Sequence, residues 1–276
     1  MISGKTRLLA LIGHPVSHSL SPAMHNAAFA ADGLDFVYVC VDVDPDDLPA
    51  VVKGAAALKL RGFNITMPHK RAMIRLLEEL DEGARISGAV NTVVIDGSTL
   101  RGYNTDGGGM VMACQEAGIE LSGRRVLLLG AGGAAAIAVA FGGGGIGELN
   151  IANRSAEHAI ELQNKLRGVG MEKVVVCPLD ALDEAVLETE IIVNATSLGM
   201  KEGDPLPIPA GYVEDGRAIC DAVYRPGTET SLVRLARERG ARVATGKRML
   251  LYQGVLAQKL WTGREPNVKT MDGAIS

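Results

Sequence analysis

The stretch VLLLGAGGAAA, Val126 to Ala136, decides how this chain folds. Four apolar residues suited to a buried strand run straight into Gly130, Gly132 and Gly133, and the small residues after them suit a tightly packed helix. The pattern predicts a strand, a turn and a helix start. Gly130 permits the tight turn, Gly132 lets backbone approach a pyrophosphate, and Ala135 takes the third position of G-x-G-x-x-G/A, where helix and strand nearly touch. N–H groups at the helix start and the positive end of its dipole then face the phosphates. A glycine triplet alone also fits a helix start that simply packs closely. The next predicted strand, Glu148 to Ala152, ends in Asn153-Arg154-Ser155, about 20 residues past the loop, where a dinucleotide unit places its ribose contact. An NAD site puts Asp or Glu there. Arg154 attracts a 2′-phosphate that a carboxylate would repel, so the pattern favours NADP.

At 276 residues the chain has room for two domains, each with its own core. Its net charge of −4 gives no electrostatic case for nucleic acid or an anionic membrane as partner. Cys40, Cys114, Cys177 and Cys220 form no C-x-x-C pair, which excludes the common zinc and redox spacings and fits reduced thiols in the cytoplasm. The opening MISGKTRLLALIG reads as a first strand, not a signal peptide, and no apolar run is long enough to span a bilayer.

Outward from the glycine stretch, strands and helices alternate. In the first part, strands are predicted at Leu8 to Ile12, Phe36 to Val41 and Gly62 to Thr66, followed by a hairpin of Val90 to Ile95 and Thr99 to Tyr103 about Asp96-Gly97-Ser98. Ser21 is suited to cap a helix with Pro22 at its first position and Gly33 as its stop, and Asp44-Pro45 opens another through about Leu58. A further helical stretch is expected after Met67-Pro68-His69-Lys70. Ser17, Ser19 and Ser21 crowd the loop before the first helix, where hydroxyl donors serve turn capping and small-carboxylate capture equally well. Lys70 reads either as a solvated surface lysine or as a functional cation at a strand end, and Asn91, Asn104 and Asp106 as turn formers or ligands.

After the helix Gly107 to Gly118, strands are predicted at Val126 to Leu129, Glu148 to Ala152, Lys173 to Cys177, Glu190 to Asn194, Ala218 to Asp221 and Arg242 to Ala244. That is a doubly wound nucleotide domain, and Asn194 to Met200 and Asp221 to Tyr224 leave its ligand-binding carboxyl edge. The run Gly142 to Gly145 is expected to be a loose turn. Helices at Met249 to Leu260 and from Pro266 close the chain.

Taken together, the motifs resemble the shikimate dehydrogenase family over nearly the whole chain. They are SHSLSP (Ser17 to Pro22), FNITMPHK (Phe63 to Lys70), GAVNT (Gly88 to Thr92), YNTDG (Tyr103 to Gly107), GAGGAA (Gly130 to Ala135), NRS (Asn153 to Ser155), NATSLGM (Asn194 to Met200) and MLLYQG (Met249 to Gly254), in the family's order. The resemblance implies reversible hydride transfer between NADPH and the ring carbonyl of 3-dehydroshikimate, on an α/β fold of two domains. A discontinuous substrate domain with a mainly parallel sheet would comprise residues 1–106 and 247–276, a Rossmann-type NADP-binding domain residues 107–246, and the active site the cleft between them. It further implies that Ser19, Ser21 and Tyr224 hold the substrate carboxylate, and that Thr66, Asn91 and Gln253 bond ring hydroxyls. On the same resemblance Lys70 and Asp106 would form the catalytic pair. Cofactor contacts fall at Gly130, Ala131, Gly132, Gly133, Ala134, Asn153, Arg154, Ser155, Thr196, Ser197, Met200, Val223 and Gly246. No metal is implied, and the protein is expected in the cytoplasm as a monomer or homodimer.

The chain departs from the family in three places. His158 stands where members often carry a second arginine, Thr245-Gly246 replaces the usual Asp-Gly, and Lys247-Arg248 replaces small or apolar residues near the nicotinamide edge. Other readings are a quinate or aminoshikimate dehydrogenase, and an NADP- and shikimate-binding sensor, which would need a broken catalytic pair. A serine hydrolase built on Ser19 with His18 or His25 lacks the G-x-S-x-G elbow.

Overall fold

The structure is a computed structural model that describes residues 2–276 except Gly133, Asp180, Ala181 and Asp215. Gly133, one of the expected cofactor contacts, therefore lies outside the described residues. The chain divides into two compact units, Met1–Thr105 with Gln253–Ser276, and Asp106–Tyr252.

The first unit holds β1 (Arg7–Gly13), α1 (Ser21–Ala31), β2 (Phe36–Asp42), α2 (Leu48–Ala57), β3 (Gly62–Ile65), β4 (Glu79–Leu80), α3 (Glu82–Ser87), β5 (Thr92–Asp96), β6 (Thr99–Tyr103) and α10 (Val268–Gly273). Its sheet runs β2-β1-β3-β5-β6-β4, parallel except where β5 meets β3 and β6. The period of two along β1 explains its near-continuous apolar sequence. Ala10 and Ile12 face a core with Leu48, Val52 and Phe63, while Leu9 and Leu11 face another with Phe29, Tyr38 and Trp261. Trp261 comes from α9 (Gly246–Thr262), a helix shared by both units, and its indole N–H donates to the Val93 carbonyl at 2.9 Å.

The second unit opens with α4 (Asp106–Glu116) and carries β7 (Arg125–Leu129), α5 (Ala135–Gly143), β8 (Glu148–Ala152), α6 (Ala156–Arg167), β9 (Val174–Cys177), α7 (Leu182–Leu187), β10 (Ile191–Asn194), β11 (Ala218–Asp221), α8 (Ser231–Glu238) and β12 (Arg242–Thr245). All strands are parallel, in the order β12-β11-β10-β7-β8-β9. From β7 the chain winds outward through β8 and β9, then returns to build β10, β11 and β12 on the other side. The glycine loop after β7 thus sits at the switch point where open α/β sheets bind ligands. Val126 and Leu128 pack under α4, α5 and α6, and Leu127 and Leu129 pack with α7 and α8.

Four local expectations are corrected. Ser21 is the first residue inside α1, Leu20 holds the cap position, and no side chain caps the helix. The stretch after Lys70 forms only a short 3₁₀ turn, Ala72–Leu76, because Leu77 already returns to extended backbone ahead of β4. The helix expected from Met249 begins at Gly246, directly after β12. The glycine run is a turn only at Gly144 and Gly145, because Gly142 and Gly143 end α5, where a Cβ on Gly142 would stand 1.9 Å from the Met171 methyl. Among the described residues no helix is long and apolar enough to cross a membrane.

Candidate active site

In the first unit the predicted residues converge on strand ends and one buried polar network. Ser19 is half-buried in the loop after β1, and its Oγ accepts from the Ser21 backbone N–H at 3.2 Å, taking over part of the role expected of a cap. Ser21 itself is buried, which leaves its hydroxyl to side-chain partners. Thr66 follows β3 directly, with its N–H on the Ile12 carbonyl at 2.9 Å. Lys70 is half-buried one turn later, and the Lys70 carbonyl accepts from Val90 N–H at 2.9 Å. The preceding His69 is buried and donates Nε2–H to the Val43 carbonyl at 2.8 Å, which anchors the turn that presents Lys70.

Asn91 is buried just before β5 and is gripped from two sides. Its Oδ1 accepts from Thr105 N–H at 2.9 Å and Thr92 Oγ1 at 3.0 Å; its Nδ2 donates to Thr105 Oγ1 at 2.9 Å and to Gln253 Oε1 at 3.4 Å. Two predicted substrate contacts, Asn91 and Gln253, are therefore brought together. The network continues from Thr92 to Asn64 Nδ2 at 2.9 Å, and Asn64 Oδ1 accepts from the Tyr38 hydroxyl at 2.7 Å. Burial pushes the Tyr38 phenol well above its ordinary range, so it stays a neutral donor.

In the second unit the described cofactor contacts follow the carboxyl ends of strands of the parallel sheet. Gly130 has φ +99°, and a Cβ there would stand 2.9 Å from the Ala195 carbonyl, so the loop after β7 and the loop after β10 meet at this glycine. Ala131 and Ala134 are buried, and the space beside Gly132 is open. Asn153 ties the glycine loop to the next one: its Oδ1 accepts from Ala131 N–H at 3.2 Å and its Nδ2 donates to the Ser155 carbonyl at 2.8 Å. Arg154 is exposed, with no ion pair among the described residues, and Ser155 sits at the start of α6 without capping it. An exposed guanidinium at the end of β8 fits an NADP 2′-phosphate, and the α5 start, which has no side-chain cap among the described residues, fits its pyrophosphate.

Thr196 is half-buried, and Ser197 and Met200 are exposed, on the loop after β10. Val223 is buried and Tyr224 half-buried after β11, and burial raises the Tyr224 phenol. Gly246 opens α9 against that same segment, since a Cβ there would stand 2.4 Å from the Val223 carbonyl. Asp106 is half-buried as the first residue of α4, where a carboxylate is favoured by the helix dipole. Arg248 is turned to α4: its Nε donates to Glu116 at 2.5 Å, a second bond joins the same pair, and the guanidinium lies 5.4 Å from the centre of the Tyr252 ring.

Residues 11–93 match the shikimate dehydrogenase substrate binding domain family, residues 112–200 the shikimate / quinate 5-dehydrogenase family, and residues 246–275 the shikimate 5′-dehydrogenase C-terminal domain family. A shikimate dehydrogenase (NADP(+)) of Rubrobacter xylanophilus is 57% identical over 278 residues, spanning 100% of this chain and 97% of the relative. The chain belongs to the shikimate dehydrogenase family. Among solved members, the Listeria monocytogenes shikimate 5-dehydrogenase in complex with shikimate and NAD is 38% identical with a TM-score of 0.93, covering 100% of this chain and 98% of that one. The Thermus thermophilus enzyme in complex with NADP(H) and shikimate is 37% identical with a TM-score of 0.88, covering 98% of each chain.

Within this shikimate dehydrogenase fold, sequence reasoning missed the residues that hold the predicted ones. Tyr38, Asn64, Thr92, Thr105 and His69 are buried polar groups held mostly by residues distant in sequence. Thr105 carried the one usable signal, since a β-branched hydroxyl between Asn104 and Asp106 sits where turn chemistry alone explains little.

Proposed function

We propose that this protein catalyses the NADP-dependent, reversible reduction of 3-dehydroshikimate to shikimate. The observation that carries the reading is full-length likeness to NADP-dependent shikimate dehydrogenases, in a chain that also holds Lys70, Asp106 and an exposed Arg154 at the expected strand ends. Bound NADPH supplies the hydride. Negative charge then grows on the substrate oxygen, and the Lys70 ammonium stabilises it and supplies a proton. Asp106 provides the carboxylate that favours the charged ammonium. Ser19, Ser21 and Tyr224 bind the substrate carboxylate as hydroxyl donors, and Thr66, Asn91 and Gln253 orient the ring hydroxyls. The cofactor is held by Gly130, Ala131, Gly132, Gly133, Ala134, Asn153, Arg154, Ser155, Thr196, Ser197, Met200, Val223 and Gly246.

Residues 1–106 and 247–276 serve the substrate and residues 107–246 the cofactor. The enzyme works in the cytoplasm as a monomer or homodimer. The deciding experiment follows NADP⁺ reduction by absorbance on adding shikimate, with NAD⁺ and quinate as controls. A fast rate with shikimate and NADP⁺ is expected; no rate with shikimate beside a fast one with quinate would overturn the assignment.

A further inference from the structure

Asp221 ends β11 with no exposed surface, and the chemistry above makes no use of it. Among the described residues its carboxylate takes three hydrogen bonds. Asn194 Nδ2 at 2.9 Å and Val223 N–H at 3.1 Å give to Oδ1, and Thr230 Oγ1 at 2.5 Å gives to Oδ2. The same Thr230 oxygen accepts from Val233 N–H at 3.2 Å, capping α8. Three converging hydrogen bonds suit a carboxylate, which has acceptor sites on both oxygens. Burial raises the acid above the ordinary carboxylate range, and the bonds from Thr230, Val223 and Asn194 only partly oppose that.

The same donors reach outward into the ligand loops. Asn194 Oδ1 accepts from Thr196 N–H at 3.1 Å and Thr196 Oγ1 at 2.7 Å, and Asn194 Nδ2 also donates to the Leu198 carbonyl at 3.1 Å. Thr196 Oγ1 accepts in turn from Leu198 N–H at 3.1 Å. One buried carboxylate therefore sets the loop after β10 through Asn194 and the loop after β11 through Val223. Arg154 leaves β8, on one side of the switch point, so the 2′-phosphate and adenosine belong there. The nicotinamide half then falls across β10 and β11, over these two loops.

We propose that Asp221 is a positioning residue for the nicotinamide half of the cofactor, holding Thr196 and Val223 in place through Asn194 and the backbone. The proposal rests on the NADP-dependent reading above, and its test separates the two. NADP⁺ and adenosine 2′,5′-bisphosphate, the adenine half alone, are titrated calorimetrically onto the wild type, Asp221→Asn and Asn194→Ser. An amide at 221 removes the charge and one acceptor oxygen, and a serine at 194 is too short to bridge Asp221 to Thr196. Both variants are expected to weaken NADP⁺ roughly tenfold, as for the loss of a buried charge-assisted bond, and to leave the bisphosphate affinity unchanged. Equal weakening of both ligands, or of neither, overturns the proposal while the NADP reading stands. A wild type that fails to bind NADP⁺ overturns both. If Asp221→Asn does not fold, Asn194→Ser, which keeps the carboxylate, decides by the same criteria.

Discussion

Lys70 is presented by main-chain bonds, since its carbonyl takes the Val90 N–H and the buried His69 ring anchors the turn before it. Replacing the side chain should spare that turn. Lys70→Ala is therefore expected to keep wild-type circular dichroism while kcat falls by ~10² to 10⁴, the usual worth of a general acid; turnover near wild type would remove Lys70 from the chemistry. Arg154 is the complementary case, an exposed cation whose assigned partner is one phosphate. Arg154→Ala should raise KM for NADP⁺ roughly tenfold or more, from the loss of a charge-assisted bond, and leave KM for NAD⁺ in place. Equal changes for the two cofactors would argue against the 2′-phosphate contact. Both residues were legible because chemistry-bearing residues sit in short contiguous motifs. The grip on Asn91 was not, because Thr105 and Asn64 become its neighbours only once the antiparallel register of β3, β5 and β6 is set.

Strands were the most readable elements. β11 falls where its apolar run places it, since a strand covered on both faces writes its burial continuously into the sequence, and β8 falls where its alternating Glu-Leu-Asn-Ile-Ala places it. The failures have a common physical cause, an element boundary decided by tertiary contact. After Lys70 the sequence keeps helix-forming residues, yet β4 pairs with β6 and extends the chain at Leu77. At β12 the strand passes into α9 with no loop, which Gly246 allows by carrying no Cβ toward the Val223 carbonyl. The loop between β7 and α5 depends on glycine in a stricter sense. Gly130→Ala would combine a positive φ with a methyl 2.9 Å from the Ala195 carbonyl. The expected result is a loss of roughly 1 to 3 kcal/mol in denaturant stability, together with weakened NADP⁺ binding. Wild-type values for both would show that the loop tolerates a side chain there.

Each unit has its own pair of cores, and the first carries a titratable group that makes its stability depend on pH. His25 lies on the inner face of α1 with no exposed surface, its ring 4.6 Å from Tyr38 and 5.4 Å from Trp261. Burial lowers its pKa from 6.5 to about 4, and the bond to Gln258 only partly opposes that. Between those values the unfolded chain binds a proton that the folded one refuses, so stability rises with pH across the window and falls as the solution is acidified. The full difference is about 3 kcal/mol for this one group. His14 works the other way, because Asp42 raises its pKa, but its ring is exposed and the bond is screened. Trp261, the only tryptophan, reports on the first unit by its fluorescence. In urea titrations followed at that residue, wild-type stability should fall steadily from pH 6.5 toward 4. His25→Leu, which cannot take up the proton when unfolded, should give a shallower profile over the same range whatever its absolute stability. An identical slope in the two proteins would place the acid sensitivity elsewhere in the unit.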